Sequence, residues 1–218
     1  MKATSADWLA WANEAGAIAI LRRVQADRIT AAAGAIRDGG IRCVEITLDS
    51  PTALDDIGRL SRDVEGIVVG AGTVLDAPSA RHAILAGAKF IVTPTVALGA
   101  ARMARRYGAG VILGAMTPSE ALRAWEGGCD LVKVFPANVL GPGYLKAIRG
   151  PLPQIPLAPT GGITADNVGD FIRAGAQMVG VGGWLADSKA IMEGRLEILR
   201  ERAQTVTAAV RAAREEVR

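Results

Sequence analysis

Two residues that could carry out covalent chemistry, Lys133 and Glu45, each stand inside a short apolar run. Lys133 lies in LVKVFPA and Glu45 in CVEITL. Because side chains alternate along a strand, both polar groups can face inward while their apolar neighbours face outward. A lysine withdrawn from water loses its proton more readily, and the neutral amine is the nucleophile for Schiff-base formation with a ketone. We expect the apolar setting to raise the pKa of Glu45, which could then move protons. A structural Lys–Glu ion pair is the alternative.

Two glycine pairs near the end of the chain predict a phosphate site. Gly161-Gly162 and Gly182-Gly183 follow the last two apolar runs. Glycines let the backbone approach a ligand closely, and the amides at a following helix N-terminus attract an anion. Plain tight turns are the alternative interpretation. Further candidates for substrate contacts lie where other runs end: Arg22, Thr73, Pro94, Phe135 and Thr160. Arg22 could hold a carboxylate or phosphate of the substrate, or serve a carboxylate of the protein itself.

Eight apolar, β-branched runs supply the elements that must position these residues. They start 20 to 26 residues apart and are typical of the strands of a parallel sheet covered by helices. The intervening stretches carry helix signals: Ser50-Pro51 and Thr117-Pro118 predict helix starts, Glu120 completes a capping box with Thr117, and Thr164 predicts another cap. The runs span residues 17–22, 43–48, 66–74, 90–95, 110–116, 131–137, 156–163 and 178–185.

The alternation of strands and helices predicts an α/β fold, a (β/α)8 TIM barrel, in one domain covering residues 1–218. We expect an N-terminal helix over 1–16, the barrel over 17–190 and a C-terminal helix over 191–218. The N-terminal helix could cover the bottom of the barrel or a subunit interface. A doubly wound open sheet is the alternative fold, but no Gly-x-Gly-x-x-Gly fingerprint follows the first run. In a TIM barrel the active site lies at the carboxyl ends of the strands.

Composition excludes several other classes of protein. The 218 residues carry a net charge of +3, the basic side chains are interspersed with acids, and nine aromatic residues are few for stacking on bases, so we expect no nucleic-acid partner. No apolar run approaches the roughly 18 to 20 residues of a membrane span, and the first residues do not resemble a secretory signal, so we expect a cytoplasmic protein. Cys43 and Cys129 are too few for a disulfide framework, and His82, the one histidine, is expected on a helix surface.

The segments VEITL, VGAGTVL, FIVTPT, LVKVFPA and APTGGIT, in this order, resemble one known family over roughly residues 17–190. It is the family of 2-keto-3-deoxy-6-phosphogluconate (KDPG) and 4-hydroxy-2-oxoglutarate (KHG) aldolases, which includes a 2-keto-3-deoxy-6-phosphogalactonate (KDPGal) branch. The resemblance implies a class I aldolase, a carbon–carbon lyase that uses no metal and no cofactor and assembles as a homotrimer. The implied reaction cleaves KDPG to pyruvate and D-glyceraldehyde 3-phosphate, with KHG as a further substrate.

The resemblance also implies roles for individual residues. Lys133 would form the Schiff base, and Glu45 would be the general acid and base. Thr73 would bind the pyruvyl carboxylate, with Pro94 beside it, and Thr160 would contact the aldehyde half. The two glycine pairs would hold the phosphate.

Three positions bear on which branch the chain follows. Many KDPG aldolases carry a carboxylate-binding arginine where this sequence has Asp49, and we hypothesise that Arg22 supplies the cation instead. A serine that often helps to hold the phosphate is replaced by Gly183. The LDSP segment around Asp49 favours the KDPGal branch, whereas Thr160 favours the KDPG branch.

Two other functions stay open from the residues alone. One is a non-covalent sugar-phosphate isomerase or epimerase, with Glu45 as base and Lys133 as an electrostatic group. The other is a barrel that binds a phosphorylated ligand without catalysis.

Overall fold

Eight strands and ten helices alternate along residues 7–217, the part of the chain that the computed structural model describes. The first six residues of the predicted N-terminal helix and residue 218 of the predicted C-terminal helix lie outside this part. The strands are β1 (Ala17–Leu21), β2 (Cys43–Thr47), β3 (Val68–Gly72), β4 (Phe90–Val92), β5 (Gly110–Ala115), β6 (Leu131–Val134), β7 (Leu157–Pro159) and β8 (Val179–Val181).

The helices connect the strands and cover the outside of the sheet. They are α1 (Asp7–Ala15), α2 (Ile29–Asp38), α3 (Ala53–Asp63), α4 (Ala77–Ala86), α5 (Leu98–Arg106), α6 (Pro118–Glu126), α7 (Ala137–Arg149), α8 (Ala165–Arg173), α9 (Ser188–Met192) and α10 (Leu196–Glu216). Among the described residues, no helix is long and apolar enough to cross a membrane.

The strands form one parallel sheet that curls into a barrel. Each strand from β1 to β6 pairs with the next one along the chain, and β1 also pairs with β8. An isolated parallel bridge between Thr160 and Gly180 joins the remaining two strands. The prediction of a TIM barrel is therefore confirmed, and the doubly wound alternative is wrong because the strand order never reverses.

Alternation along the strands separates an outer apolar layer from the barrel interior. Val132 and Val134 on β6 belong to the large cluster that includes helix side chains. Leu131, next to them, belongs to a smaller cluster inside the barrel. On β2, Val44 faces outward and Cys43 inward in the same way. Lys133 and Glu45 share the inward register of Leu131 and Cys43.

Helix α1 covers the amino end of the strands, the bottom of the barrel. Trp8 is buried in the interior cluster, and its ring stacks on Phe90 with centroids 5.3 Å apart. Trp11 lies nearer the surface, where the Arg42 guanidinium sits 3.3 Å from the centroid of its ring. The interior is therefore closed at this end by aromatic side chains.

The predicted helix starts are correct at two positions and wrong at one. Thr117 and Glu120 form the predicted capping box of α6, and the Thr164 side chain caps α8. Ser50 does not cap α3, which begins later, at Ala53. The Ser50 hydroxyl instead accepts a hydrogen bond from the backbone N–H of Arg23 at 2.8 Å. The Ser50 side chain therefore makes a tertiary contact between two loops instead of the helix cap that the local pattern predicts.

Candidate active site

A cavity of about 410 Å³ opens at the carboxyl ends of the strands. Seven of the eight strands, all except β5, contribute residues to its lining, either from the strand itself or from the loop that follows it. Every predicted site residue lines this one cavity: Arg22, Glu45, Thr73, Pro94, Lys133, Phe135, Thr160, Gly161, Gly162, Gly182 and Gly183.

Glu45 and Lys133 lie on strands separated by three others, so they face each other across the barrel interior. Glu45 is 3% exposed and Lys133 is 7% exposed. Within residues 7–217, neither side chain takes part in an ion pair of 4.0 Å or less, so they do not form the closed salt bridge considered as an alternative. The Lys133 ammonium nitrogen lies 5.0 Å from the centroid of the Phe135 ring.

The electrostatic setting of Glu45 is suited to proton transfer. Burial raises the pKa of its carboxyl above the ordinary value, and the positive charges of Lys133 and Arg22 oppose this rise without cancelling it. A carboxyl group whose pKa is raised toward neutrality can both accept and return a proton under physiological conditions.

Glycines on neighbouring strands make room for the polar side chains. A Cβ atom on Gly72 would lie 1.7 Å from Oε1 of Glu45. A Cβ on Gly180 would lie 2.4 Å from Oγ1 of Thr160. Any side chain at these two positions would therefore displace a group that lines the cavity.

Arg22 stands at the cavity mouth between two polar partners. Its Nη1 donates a hydrogen bond to Oδ2 of Asp49 at 2.7 Å, and its Nη2 donates to Oγ1 of Thr73 at 3.3 Å. Thr73 adopts a left-handed backbone with φ of 56°, which is rare for a β-branched residue. Arg22 therefore pairs with a carboxylate of the protein and also lines the cavity.

The glycine turns after β7 and β8 line the same cavity. Gly161 and Gly162 both have positive φ, of 99° and 68°, a conformation that glycine adopts without a steric cost. They lead directly into the N-terminus of α8, whose dipole favours an anion. A Cβ on Gly183 would meet no atom within 4 Å, so the backbone of this turn is open to the cavity.

Sequence reasoning missed several residues that line the cavity, and Trp184 is the largest of them. Its carbonyl accepts a hydrogen bond from Arg202, whose guanidinium also lies 5.2 Å from the centroid of the indole ring. Trp184 could have been predicted as a site residue because it directly follows Gly182-Gly183 in the same turn. Ile20 could have been found from the inward register that it shares with Arg22.

The residues expected to lie outside the site do so. His82 is exposed on α4. Cys43 and Cys129 are buried free thiols, and burial raises the pKa of the first to about 12 and of the second to about 11. Among the described residues, no group of three or more His, Cys, Asp or Glu side chains could hold a metal ion.

Fold and site together define a class: a (β/α)8-barrel enzyme with a buried amine and a buried carboxyl group at the end of the barrel where such enzymes act. The chain belongs to the KDPG and KHG aldolase family, because the sequence model of that family matches residues 10–201. Its relatives are aldolases, so the enzyme is a carbon–carbon lyase.

Curated relatives come from both branches at nearly equal identity. The 2-dehydro-3-deoxy-6-phosphogalactonate aldolase of Escherichia coli (strain K12) is 37% identical over 175 residues, which are 79% of this chain and 85% of the relative. The 2-dehydro-3-deoxy-phosphogluconate aldolase of Pseudomonas aeruginosa is 36% identical over 163 residues, which are 74% of either chain.

Solved structures agree with the fold. One described as native KDPGal has a TM-score of 0.85 at 33% identity and covers 91% of this chain and 96% of its own. A KDPG aldolase from Legionella pneumophila, with pyruvate captured at low pH as a covalent carbinolamine intermediate, has a TM-score of 0.83 at 28% identity and covers 90% and 97%.

Proposed function

We propose that this enzyme cleaves KDPG to pyruvate and D-glyceraldehyde 3-phosphate through a Schiff base on Lys133. The observation that carries the proposal is the shared burial of Lys133 and Glu45 in one cavity, without a salt bridge between them. Both groups stay available for reaction because neither is held by the other. A buried amine and a buried carboxyl are the two groups that Schiff-base cleavage of a hydroxy-ketone needs.

The reaction begins when neutral Lys133 attacks the C2 ketone carbon, giving a carbinolamine. Loss of water gives a protonated imine, which withdraws electrons from the neighbouring carbons. Glu45 removes the proton from the C4 hydroxyl, the C3–C4 bond breaks, and its electron pair moves toward the imine nitrogen. D-Glyceraldehyde 3-phosphate leaves, and an enamine remains on the lysine. Glu45 returns a proton to C3, and water hydrolyses the imine to pyruvate and the free amine.

The two ends of the substrate are proposed to meet different parts of the cavity lining. The carboxylate lies beside Thr73 and the Arg22 guanidinium, which supplies a cation with free N–H donors. Thr160 contacts the aldehyde half. The phosphate lies on the Gly161-Gly162 and Gly182-Gly183 turns, near the N-terminus of α8. Pro94 and Phe135 form the apolar surface around the reacting carbons.

The test is cleavage of KDPG by two lysine variants. Lys133→Met should lose activity by on the order of 10⁴-fold or more, because the covalent route needs this amine. Lys146→Met is the matched control, since Lys146 is exposed on α7, and its activity should equal that of the unaltered enzyme. Substantial turnover by Lys133→Met would contradict the proposal and favour a non-covalent mechanism.

KDPGal cleavage is the second candidate function. What supports it is the slightly higher identity to the Escherichia coli galactonate enzyme and the LDSP segment around Asp49. Rates on the two epimers, and on KHG, measured with one enzyme preparation would decide the order of preference. A kcat/KM for KDPGal above that for KDPG would reverse the assignment made here.

We also propose a homotrimer that acts in the cytoplasm and binds no nucleic acid. Exposed large apolar side chains, among them Leu75, Leu85 and Val139, give surface that a second chain could cover. The free thiols Cys43 and Cys129 are compatible with a reducing compartment. Sedimentation equilibrium should give three times the chain mass of 22.6 kDa, and a monomer would contradict the trimer.

A further inference from the structure

We propose that Asp49 is a positioning residue, which holds the Arg22 guanidinium at the cavity mouth and acts on the substrate through it. This inference rests on the function proposed above, in which Arg22 meets the substrate carboxylate. Asp49 does not itself line the cavity. It touches Arg22 from outside, where it can orient the guanidinium without occupying the space for the substrate.

The contacts of Arg22 show why it needs a partner. Its side chain is 54% exposed, so packing alone does not fix its rotamer. The hydrogen bond from its Nη1 to Asp49, at 2.7 Å, joins two opposite charges and is the shorter of its two contacts. With Nη1 held by Asp49, Nη2 reaches Thr73 on the next strand but one. Asp49 thus selects the rotamer that places the cation beside Thr73.

The charges at this point leave the cavity mouth positive. Oδ2 of Asp49 also lies 3.3 Å from Nε of Arg23, so one carboxylate serves two guanidinium groups. Burial alone would raise the pKa of Asp49, but the nearby Thr47 hydroxyl and the charges of Arg22 and Arg23 outweigh it and lower that pKa. Asp49 is therefore ionised at neutral pH, and the group of three charges keeps a net charge of +1.

The backbone around Asp49 is also held in an uncommon conformation. Arg23 and Thr73 are the two non-glycine residues with left-handed φ in residues 7–217, at 52° and 56°. Both contact the Asp49–Arg22 pair, directly or through one side chain. Uncommon backbone conformations persist where surrounding contacts fix them. Asp49 follows β2 and contacts Arg22 and Arg23, which follow β1, so its carboxylate links the ends of these two strands.

The test measures the pyruvate concentration that half-saturates borohydride trapping on the enzyme. Asp49→Ala should raise it about tenfold, the usual effect of losing one charge-assisted hydrogen bond. Arg22→Ala should raise it at least as much. The double variant should match Arg22→Ala alone, because a residue that acts through Arg22 has nothing to act on when Arg22 is gone. Inhibition by inorganic phosphate, which probes the glycine turns, should stay unchanged in Asp49→Ala.

Two further variants test whether a change in pyruvate binding is specific to the Asp49 carboxylate and not a result of misfolding. Asp49→Asn keeps the shape and a neutral acceptor, so it should weaken pyruvate binding less than Asp49→Ala. Asp55→Ala removes an exposed carboxylate from α3 nearby and should leave pyruvate and phosphate binding unchanged. A thermal melt of each variant reports whether it is folded.

The outcomes separate this inference from the proposed function. No trapping in the unaltered enzyme would contradict the Schiff-base function itself. Trapping that Arg22→Ala leaves unchanged would contradict the role of Arg22. If Arg22→Ala weakens pyruvate binding but Asp49→Ala and Asp49→Asn do not, Asp49 is not a positioning residue. An equal loss on removing Asp49 in the Arg22→Ala background would overturn the inference as well.

Discussion

The amino and carboxyl ends of the barrel interior both place glycines against large side chains, but these side chains are aromatic at one end and polar at the other. At the amino end, Gly70 faces the ring of Phe90 and Gly110 faces the ring of Trp8, each within 2.3 Å of where a Cβ would stand. The rings fill the space that the glycines leave. This end is therefore a closed apolar core whose function is stability.

At the carboxyl end, Gly72 faces Glu45 and Gly180 faces Thr160. Here the glycines make room for the polar side chains of Glu45 and Thr160, and an open cavity remains beside these side chains. Inward-facing glycines therefore have two roles in this barrel. Beside an aromatic ring the space that the glycine leaves is filled by the ring, and beside a polar group it becomes part of the lining of the cavity. On β3 the two purposes are two residues apart, since Gly70 faces Phe90 and Gly72 faces Glu45.

Trp8→Ala should produce the largest effect and should act on stability alone. The indole is buried and stacked on Phe90, so its removal should lower the free energy of unfolding by about 3–5 kcal/mol. The kcat of the folded fraction should not change, because the cavity lies at the other end. Trp11→Ala, at a less buried ring stacked on Arg42, should cost about 1 kcal/mol by urea denaturation. A large fall in kcat with Trp8→Ala would show that the two ends are coupled.

Gly72→Ala and Gly70→Ala compare the two ends within a single strand. The new methyl group of Gly72→Ala would collide with the Glu45 carboxyl, and a displacement of about 1 Å should lower kcat/KM by about 100-fold. Gly70→Ala would collide with Phe90 instead and should lower the melting temperature while the folded enzyme keeps its kcat. Equal effects of both variants on kcat would contradict the division of the interior.

Glu45→Gln should give the smallest effect on stability, a gain at neutral pH. The folded-state pKa of Glu45 is raised above its ordinary value of 4.5, so ionisation is harder in the folded than in the unfolded chain. The stability of the unaltered enzyme therefore falls as pH rises from about 4.5 through the raised pKa. The melting temperature of Glu45→Gln should exceed that of the unaltered enzyme at pH 7, and the difference should narrow toward pH 4.5.

The matched control for this prediction is Glu201→Gln, an exposed position on α10, which should follow the unaltered enzyme at each pH. A Glu45→Gln variant less stable than the unaltered enzyme at pH 7 would mean that the ionised carboxylate stabilises the fold. In that case the charges of Lys133 and Arg22 would lower the pKa of Glu45 by more than burial raises it.

The strands and the inward register of the site could be predicted because both depend on short-range patterns. Continuous apolar runs locate all eight strands. Because side chains alternate along a strand, Lys133 and Glu45 face inward when their apolar neighbours face the helices. Local helix caps were predictable where a side chain serves its own helix, as Thr117 does. Ser50 shows the limit, since its hydroxyl binds Arg23 from a different loop.

Other features depend on contacts that no local pattern contains. Helix α7 was not predicted, because Gly141 and Pro142 interrupt it and Gly141 departs from helical geometry, with φ of 70° and ψ of 172°. The short helix α9 after β8 was not foreseen either. The bond between Arg22 and Asp49 joins residues 27 positions apart, and only the pairing of β1 with β2 brings them together.

The most direct measurement of the central claim is reduction with borohydride in the presence of pyruvate, followed by mass spectrometry of the digested protein. We expect a pyruvyl adduct on the peptide that contains Lys133 and none on the peptides that contain Lys89, Lys146 or Lys189. The adduct should disappear in Lys133→Met. An enzyme that turns over substrate without an adduct, or with one on a different lysine, would contradict the claim that the buried Lys133 is the nucleophile.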